Sequence, residues 1–202
     1  MQVLARTEQP GISLPKPSLD NLSRKWHALS LQIEHDVRLL SACNGTSCLS
    51  PSGQRFSAAI AKLKLQPKME RALLVKRLVD RRIAYRPDSE GQDTWSAPLE
   101  TLERGYGDCE DITFATYTLL LQAGFDAQAM TLHLLQNRRT GLGHAVIVLQ
   151  MADGTTLVFD NTKRRLTASV DPGYRTVASI RNGVFQPASG LIVANRSLPP
   201  RL

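Results

Sequence analysis

The sequence predicts an α+β domain in which a run of helices precedes an antiparallel sheet. Three observations carry that prediction: a long amphipathic stripe near the N-terminus, a capped apolar helix in mid-chain, and short alternating strands separated by turn residues after it. With 202 residues, 42% of them hydrophobic and 21% charged, the chain has a globular composition that suits one domain.

Residues 1–17 are polar and proline-rich and read as an extended arm, leaving 18–202 as the folded domain. The arm lacks the apolar centre of a secretory leader, so the chain is either cytoplasmic or a form with its signal removed. From Ser18 to about Ala42, Leu22, Trp26, Leu29, Ile33, Val37 and Leu40 recur at three- and four-residue steps, which predicts a helix with one buried stripe. The segment from Cys43 to Cys48 reads as a turn. A short helix is expected over Ser57–Leu63. A basic helix follows Pro67 and runs to about Ala84 through Leu73, Leu78 and Val79, and Tyr85–Pro98 reads as loop. Asp108 suits an N-cap and Gly124 a C′ residue, which predicts a helix over Cys109–Ala123. Strands are expected at Ala127–Leu135, His144–Met151 and Thr155–Asp160, with shorter ones at Arg175–Ile180 and Leu191–Asn195.

The formal charge is +7, but Arg81-Arg82, Arg138-Arg139 and Lys163-Arg164-Arg165 are separated clusters without aromatic interleaving. They read as solvated faces; an acidic protein partner or an anionic membrane surface ranks behind that, and no nucleic acid is implied. No apolar run approaches the about 18 residues that span a bilayer, so an integral membrane protein is excluded. Three cysteines without a Cys-x-x-Cys pair make neither a disulfide-stapled miniprotein nor a zinc ribbon.

Chemistry concentrates at Cys109. A helix N-terminus offers unpaired N–H groups and partial positive charge, which favour a thiolate, and Gly107 would leave room for a substrate to approach. Asp108, Glu110 and Asp111 act the other way, because neighbouring negative charge raises a thiol pKa. A divalent cation would neutralise them, and hard oxygen donors favour calcium over zinc. Of the four histidines, His27 and His35 fall on the first helix as surface or boundary residues; His144, where a strand leaves a glycine-rich loop, is preferred over His133 as a base. Asp160 is its candidate orienting carboxylate, and register tests the pair. A two-residue Asp153-Gly154 loop puts His144 and Asp160 on opposite faces. A three-residue loop, Ala152 to Gly154 with Gly154 left-handed, puts them on one face as diagonal neighbours and sets Gln150 opposite Thr156. The catalytic reading requires an odd loop or a bulge here.

Trp95-Ser-Ala-Pro98, Gly107-Asp-Cys-Glu-Asp111, Gly143-His-Ala145 and Phe159-Asp-Asn161 resemble bacterial transglutaminase-like cysteine peptidases of the LapG type, over about Ala72–Asn161. The resemblance implies a papain/transglutaminase-like fold with Cys109 as nucleophile, His144 as base and then acid, and Asp160 as its partner. It implies calcium at Asp108 and Glu110, with Asp111 as a further candidate. Trp95 would line the site or a receptor-facing surface, or else sit in the core. The implied setting is the periplasm. There such enzymes cleave the N-terminal region of large surface adhesins, control biofilm attachment, and are restrained by an inner-membrane cyclic-di-GMP receptor. In that compartment Cys43 and Cys48 could form a small-loop disulfide; otherwise they are two free thiols. Two alternatives share the sequence: a transglutaminase or amide-forming acyltransferase using the same three residues, and a non-catalytic calcium-dependent binding module.

Overall fold

The computed structural model describes residues 19–42, 50–89 and 92–188. The expected N-terminal arm, the Cys43–Cys48 segment with its candidate disulfide, and the expected strand at Leu191–Asn195 lie outside the described residues.

The first helix, α1 (Leu19–Ala42), buries Leu22, Trp26, Leu29, Ile33 and Leu40, as the stripe predicts, and leaves His27 and His35 exposed. Its one departure is informative. Asp36 is buried where Val37 was expected to lead, because the Asp36 carboxylate accepts the Leu99 N–H at 2.8 Å. Leu99 lies in α4 (Pro98–Arg104), a helix that begins at the end of the expected Tyr85–Pro98 loop and that the sequence does not predict; its cap position Ala97 has no side-chain acceptor of its own. A carboxylate from a distant helix therefore supplies the missing N-terminal acceptor.

Between them, α2 (Pro51–Lys64) starts six residues earlier than expected. Ser50 accepts the Gly53 N–H at 3.0 Å and Pro51 opens the helix, a start signal that apolar periodicity alone does not register. Next comes α3 (Lys68–Arg82), whose inner face is Ala72, Val75 and Val79, whereas the expected Leu73 is exposed. Small side chains face inward because α3 packs against the central helix, α5 (Cys109–Gln122). The loop after α3 begins as β1 (Ala84–Tyr85), which pairs in parallel with β2 (Tyr106–Gly107) just ahead of Cys109.

From Ile112 to Leu120, α5 is buried on all sides. Its ends match the sequence: Asp108 caps the start, accepting the Asp111 N–H at 3.1 Å, and Gly124 at φ 84° closes it. The Gly124 N–H reaches the Leu121 carbonyl at 3.0 Å and the Phe125 N–H reaches Leu120 at 3.1 Å, a Schellman closure.

One face of this helix meets an antiparallel five-stranded sheet, β3 (Met130–Asn137), β4 (Gly143–Gln150), β5 (Thr156–Phe159), β6 (Tyr174–Arg181) and β7 (Val184–Pro187), in the order β5-β4-β3-β6-β7. Residues 127–129, expected to be strand, form a short 3-10 turn instead, with Asp126 accepting the Gln128 N–H. The strand β7 was unexpected, although Asn182-Gly183 at φ 48° and 76° is the left-handed pair that a tight hairpin needs. The Thr113 hydroxyl donates to the Ala145 carbonyl at 3.1 Å and ties α5 to β4. Among the described residues, no helix is long and apolar enough to cross a membrane.

Gly107 is the tightest point of this packing. A Cβ there would sit 2.6 Å from the Asp111 Cβ and 3.2 Å from the Thr101 Cγ2. The expected space for substrate is thus filled by the protein's own side chains; glycine is needed for the approach of α4 to α5. Gly107→Ala is expected to lower stability by about 1–3 kcal/mol through overpacking, read as a fall in Tm by thermal denaturation; an unchanged Tm would contradict it.

Candidate active site

The β4–β5 connection settles the register. The Met151 N–H donates to the Thr155 carbonyl at 2.8 Å, Gly154 is left-handed at φ 84°, and Gln150 pairs with Thr156. This is the three-residue loop, and the Thr156 hydroxyl donates to the Gln150 side chain at 3.1 Å. His144 and Asp160 therefore share a face, and His144 Nε2 lies 3.0 Å from Asp160 Oδ1. The same oxygen accepts the Thr162 N–H at 2.8 Å and the Thr162 hydroxyl at 2.7 Å. Burial raises the Asp160 carboxyl, but the hydrogen bond and charge of His144 and the two bonds from Thr162 outweigh it and bring it down to about 2. An ionised Asp160 accepts the Nε2 proton and leaves Nδ1 as the basic nitrogen. The Tyr174 ring packs on the imidazole at 5.1 Å between centroids and covers the pair. His133, the alternative, is half-buried on β3 opposite Val146; its Nδ1 has no partner among the described residues, and burial lowers its pKa.

Cys109 is the first residue of α5 and is partly exposed. Its Sγ–H donates to Glu110 Oε2 at 2.6 Å, so the sulfur is paired with a carboxyl rather than with the imidazole. Burial pushes the thiol well above its ordinary value, and the charges of Glu110 and Asp108 push it further. Of the two opposing effects anticipated at this position, the carboxylates and burial outweigh the helix N-terminus. A cavity of about 70 Å³ is lined by Cys109, Asp108, Glu110, Asp88, Asp93 and Gly143. Glu110, Gly143 and His144 line the adjoining one, so the thiol and the imidazole open onto a shared cleft.

The acidic residues there fall into two groups. Asp93 pairs with Lys25 of α1 at 2.5 Å. Asp111, a candidate ligand from the sequence, is instead a tie: Oδ1 accepts the Ser96 N–H at 2.8 Å, and Oδ2 takes the Arg104 guanidinium. Asp108 and Glu110 have no ion-pair partner among the described residues. Burial and then the charges of Glu110 and Asp111 raise Asp108 to about 8, and burial raises Glu110. Two strained carboxyls beside a thiol fit a hard cation chemically, yet among the described residues no three His, Cys, Asp or Glu side chains are grouped to hold one. Trp95 lies at the core edge, its ring 5.0 Å from that of Phe114, with Lys25 Nζ 5.3 Å above it; its Nε1 is buried without a partner among the described residues.

The depressed Asp160 carboxyl makes a pH prediction. Its contribution to stability is fully present above the unfolded value of 3.8 and is lost as pH falls through about 2. The Tm difference between the wild type and Asp160→Asn is expected to correspond to on the order of 2 kcal/mol near neutrality and to narrow between pH 4 and 2. A gap independent of pH over that window would contradict the ionised assignment.

The comparisons with known proteins agree with this architecture. The family model for bacterial transglutaminase-like cysteine proteinases (BTLCP) matches residues 47–183. Calcium-bound LapG of Legionella pneumophila superposes with a TM-score of 0.61 at 20% identity, over 82% of this chain and 93% of that one. EGTA-treated LapG of the same organism gives the same TM-score and identity over 80% and 88%. No curated protein sequence matches significantly. At that identity the structures establish a shared α+β, papain-like fold. The family match spans most of the chain, and on that ground the protein belongs to the bacterial transglutaminase-like cysteine proteinases, a family of cysteine peptidases.

Proposed function

We propose that the protein is a cysteine endopeptidase with Cys109 as nucleophile, His144 as general base and then acid, and Asp160 as the carboxylate that orients His144. The observation that carries this reading is the buried 3.0 Å His144–Asp160 contact on the cleft that also exposes Cys109 at a helix start. His144 Nδ1 would take the thiol proton as sulfur attacks the peptide carbonyl. The tetrahedral oxyanion would lie near the Cys109 backbone N–H at the α5 start, and the imidazolium would protonate the leaving amine. Water, activated by the same nitrogen, would then release the acyl group and restore the thiol.

Calcium dependence belongs to the same proposal. Asp108 and Glu110 are the residues that would hold the ion, and its charge there would offset the negative field that keeps the Cys109 proton on sulfur. From the family resemblance we further infer a periplasmic setting, the N-terminal region of a large surface adhesin as substrate, a role in biofilm attachment, and restraint by an inner-membrane cyclic-di-GMP receptor.

Incubation with adhesin N-terminal fragments is expected to give a discrete cleavage in the presence of calcium, abolished in Cys109→Ala and reduced on the order of 10³-fold or more in Asp160→Asn, where the imidazole loses its orienting charge. Incorporation of a labelled amine into the fragment without backbone cleavage would shift the assignment to acyl transfer. Iodoacetamide labelling of Cys109, read by peptide mass spectrometry, is expected to move to higher pH in EGTA and in His144→Ala. Labelling that rises only above about pH 8 and ignores both changes would remove the thiolate chemistry.

A further inference from the structure

A cavity of about 460 Å³ lies beside the cleft and not in it. It is bounded by the end of α3 and the segment after β5, with Arg77, Arg81, Lys163 and Arg164 on its rim. One wall is shared with the Cys109 cavity: Tyr85 lines both. Two further lining residues neighbour the site in the chain, Ile112 one turn along the helix that Cys109 opens and Asn161 directly after Asp160. The groove therefore lies next to the site where a peptide would be cut.

Its charge is not balanced from within. The one acidic residue on the rim, Asp80, is held by the buried Lys76 at 2.5 Å, and Lys163 is held by Asp171 at 3.1 Å. Arg77, Arg81 and Arg164 have no ion pair or side-chain hydrogen bond among the described residues. Arg77 and Arg81 are four residues apart on α3 and so project side by side, where like charges repel. Three unpaired guanidinium groups around one concave surface match carboxylates in both charge and fork geometry.

We propose that this groove is an extended substrate subsite that takes an acidic segment of the protein substrate flanking the scissile bond, held by Arg77, Arg81 and Arg164. The proposal rests on the peptidase reading and adds the substrate class: a chain whose cleavage point neighbours a cluster of Asp or Glu.

The test reads binding without turnover, by fluorescence anisotropy of a fluorescein-labelled Glu-rich peptide and its Gln-for-Glu twin on the full-length Cys109→Ala protein. The Glu peptide is expected to bind at least about tenfold more tightly than its twin, with the advantage lost in Arg77→Gln/Arg81→Gln and diminished by salt. Arg164→Gln, in a different segment, reports the same loss if the α3 pair fails to fold. Lys62→Gln/Lys64→Gln, which lowers the net charge equally at the end of α2, is expected to keep the preference. Equal binding of the twins, or an equal loss in the Lys62/Lys64 control, would overturn the groove. So would displacement by millimolar inorganic phosphate at constant ionic strength, which would mark a free-anion site. Wild-type cleavage of fragments with no Glu preference would keep the peptidase and sink the groove; a Glu preference in a protein that cleaves nothing would keep the groove's specificity and sink the peptidase.

Discussion

The burial of α5 on every side dictates the rest of the site. A helix enclosed from Ile112 to Leu120 meets the cleft at its N-terminus, and Cys109 occupies the first position there. The enclosure is reinforced at both ends: Asp108 and the Schellman closure at Gly124 satisfy the terminal backbone groups, and Thr113 bonds the helix to the Ala145 carbonyl of β4. Ala145 directly follows His144, so the strand that presents the imidazole is tied to the helix that presents the thiol. A shift of one against the other would break a buried hydrogen bond, which is how a fold holds a reacting pair to a fraction of an ångström.

That same enclosure creates an electrostatic conflict. Asp108 is required to cap α5, Glu110 follows the cysteine, and both are partly desolvated, so each carboxyl is raised and the thiol with them. The surrounding acids are resolved by cations drawn from elsewhere in the fold, Lys25 for Asp93 and Arg104 for Asp111. Asp108 and Glu110 have no such partner among the described residues. The fold thus leaves two desolvated carboxyls without a cation at the one place where a thiolate would form, and the calcium proposed there would supply it. Asp160 faces the opposite situation: the hydrogen bonds and charge around it outweigh its burial and bring its carboxyl down to about 2.

The local signals were those that depend on a few adjacent residues. Asp108 and Gly124 bracketed α5, and the three- and four-residue steps gave the buried face of α1; the turn at Asp153-Gly154 allowed an even or an odd loop, and only the odd one puts His144 and Asp160 on one face, because a pleat alternates sides with every residue. Ser50-Pro51 and Asn182-Gly183 were equally local and carried the start of α2 and the turn into β7; periodicity reads apolar faces and passes over such punctuation. The family resemblance, too, came from short strings of adjacent residues around the cysteine, the histidine and the aspartate.

What only the tertiary structure decided were contacts between residues far apart in the chain. The helix α4 is capped by Asp36, 63 positions before Leu99, and Asp93 is neutralised by Lys25 from α1. The arginines of the basic groove read as solvated pairs in the sequence because their neighbours in the chain do not reveal that α3 and the segment after β5 form opposite walls of one cavity. The sequence by itself determined that helices precede the sheet and where the central helix starts and stops, since periodicity and caps act over a few residues; it left the parity of β4 against β5 between an even and an odd loop, and the fold took the odd one. Which carboxylates are neutralised and which are left charged was decided by folding, because charge interacts through space and burial sets its strength.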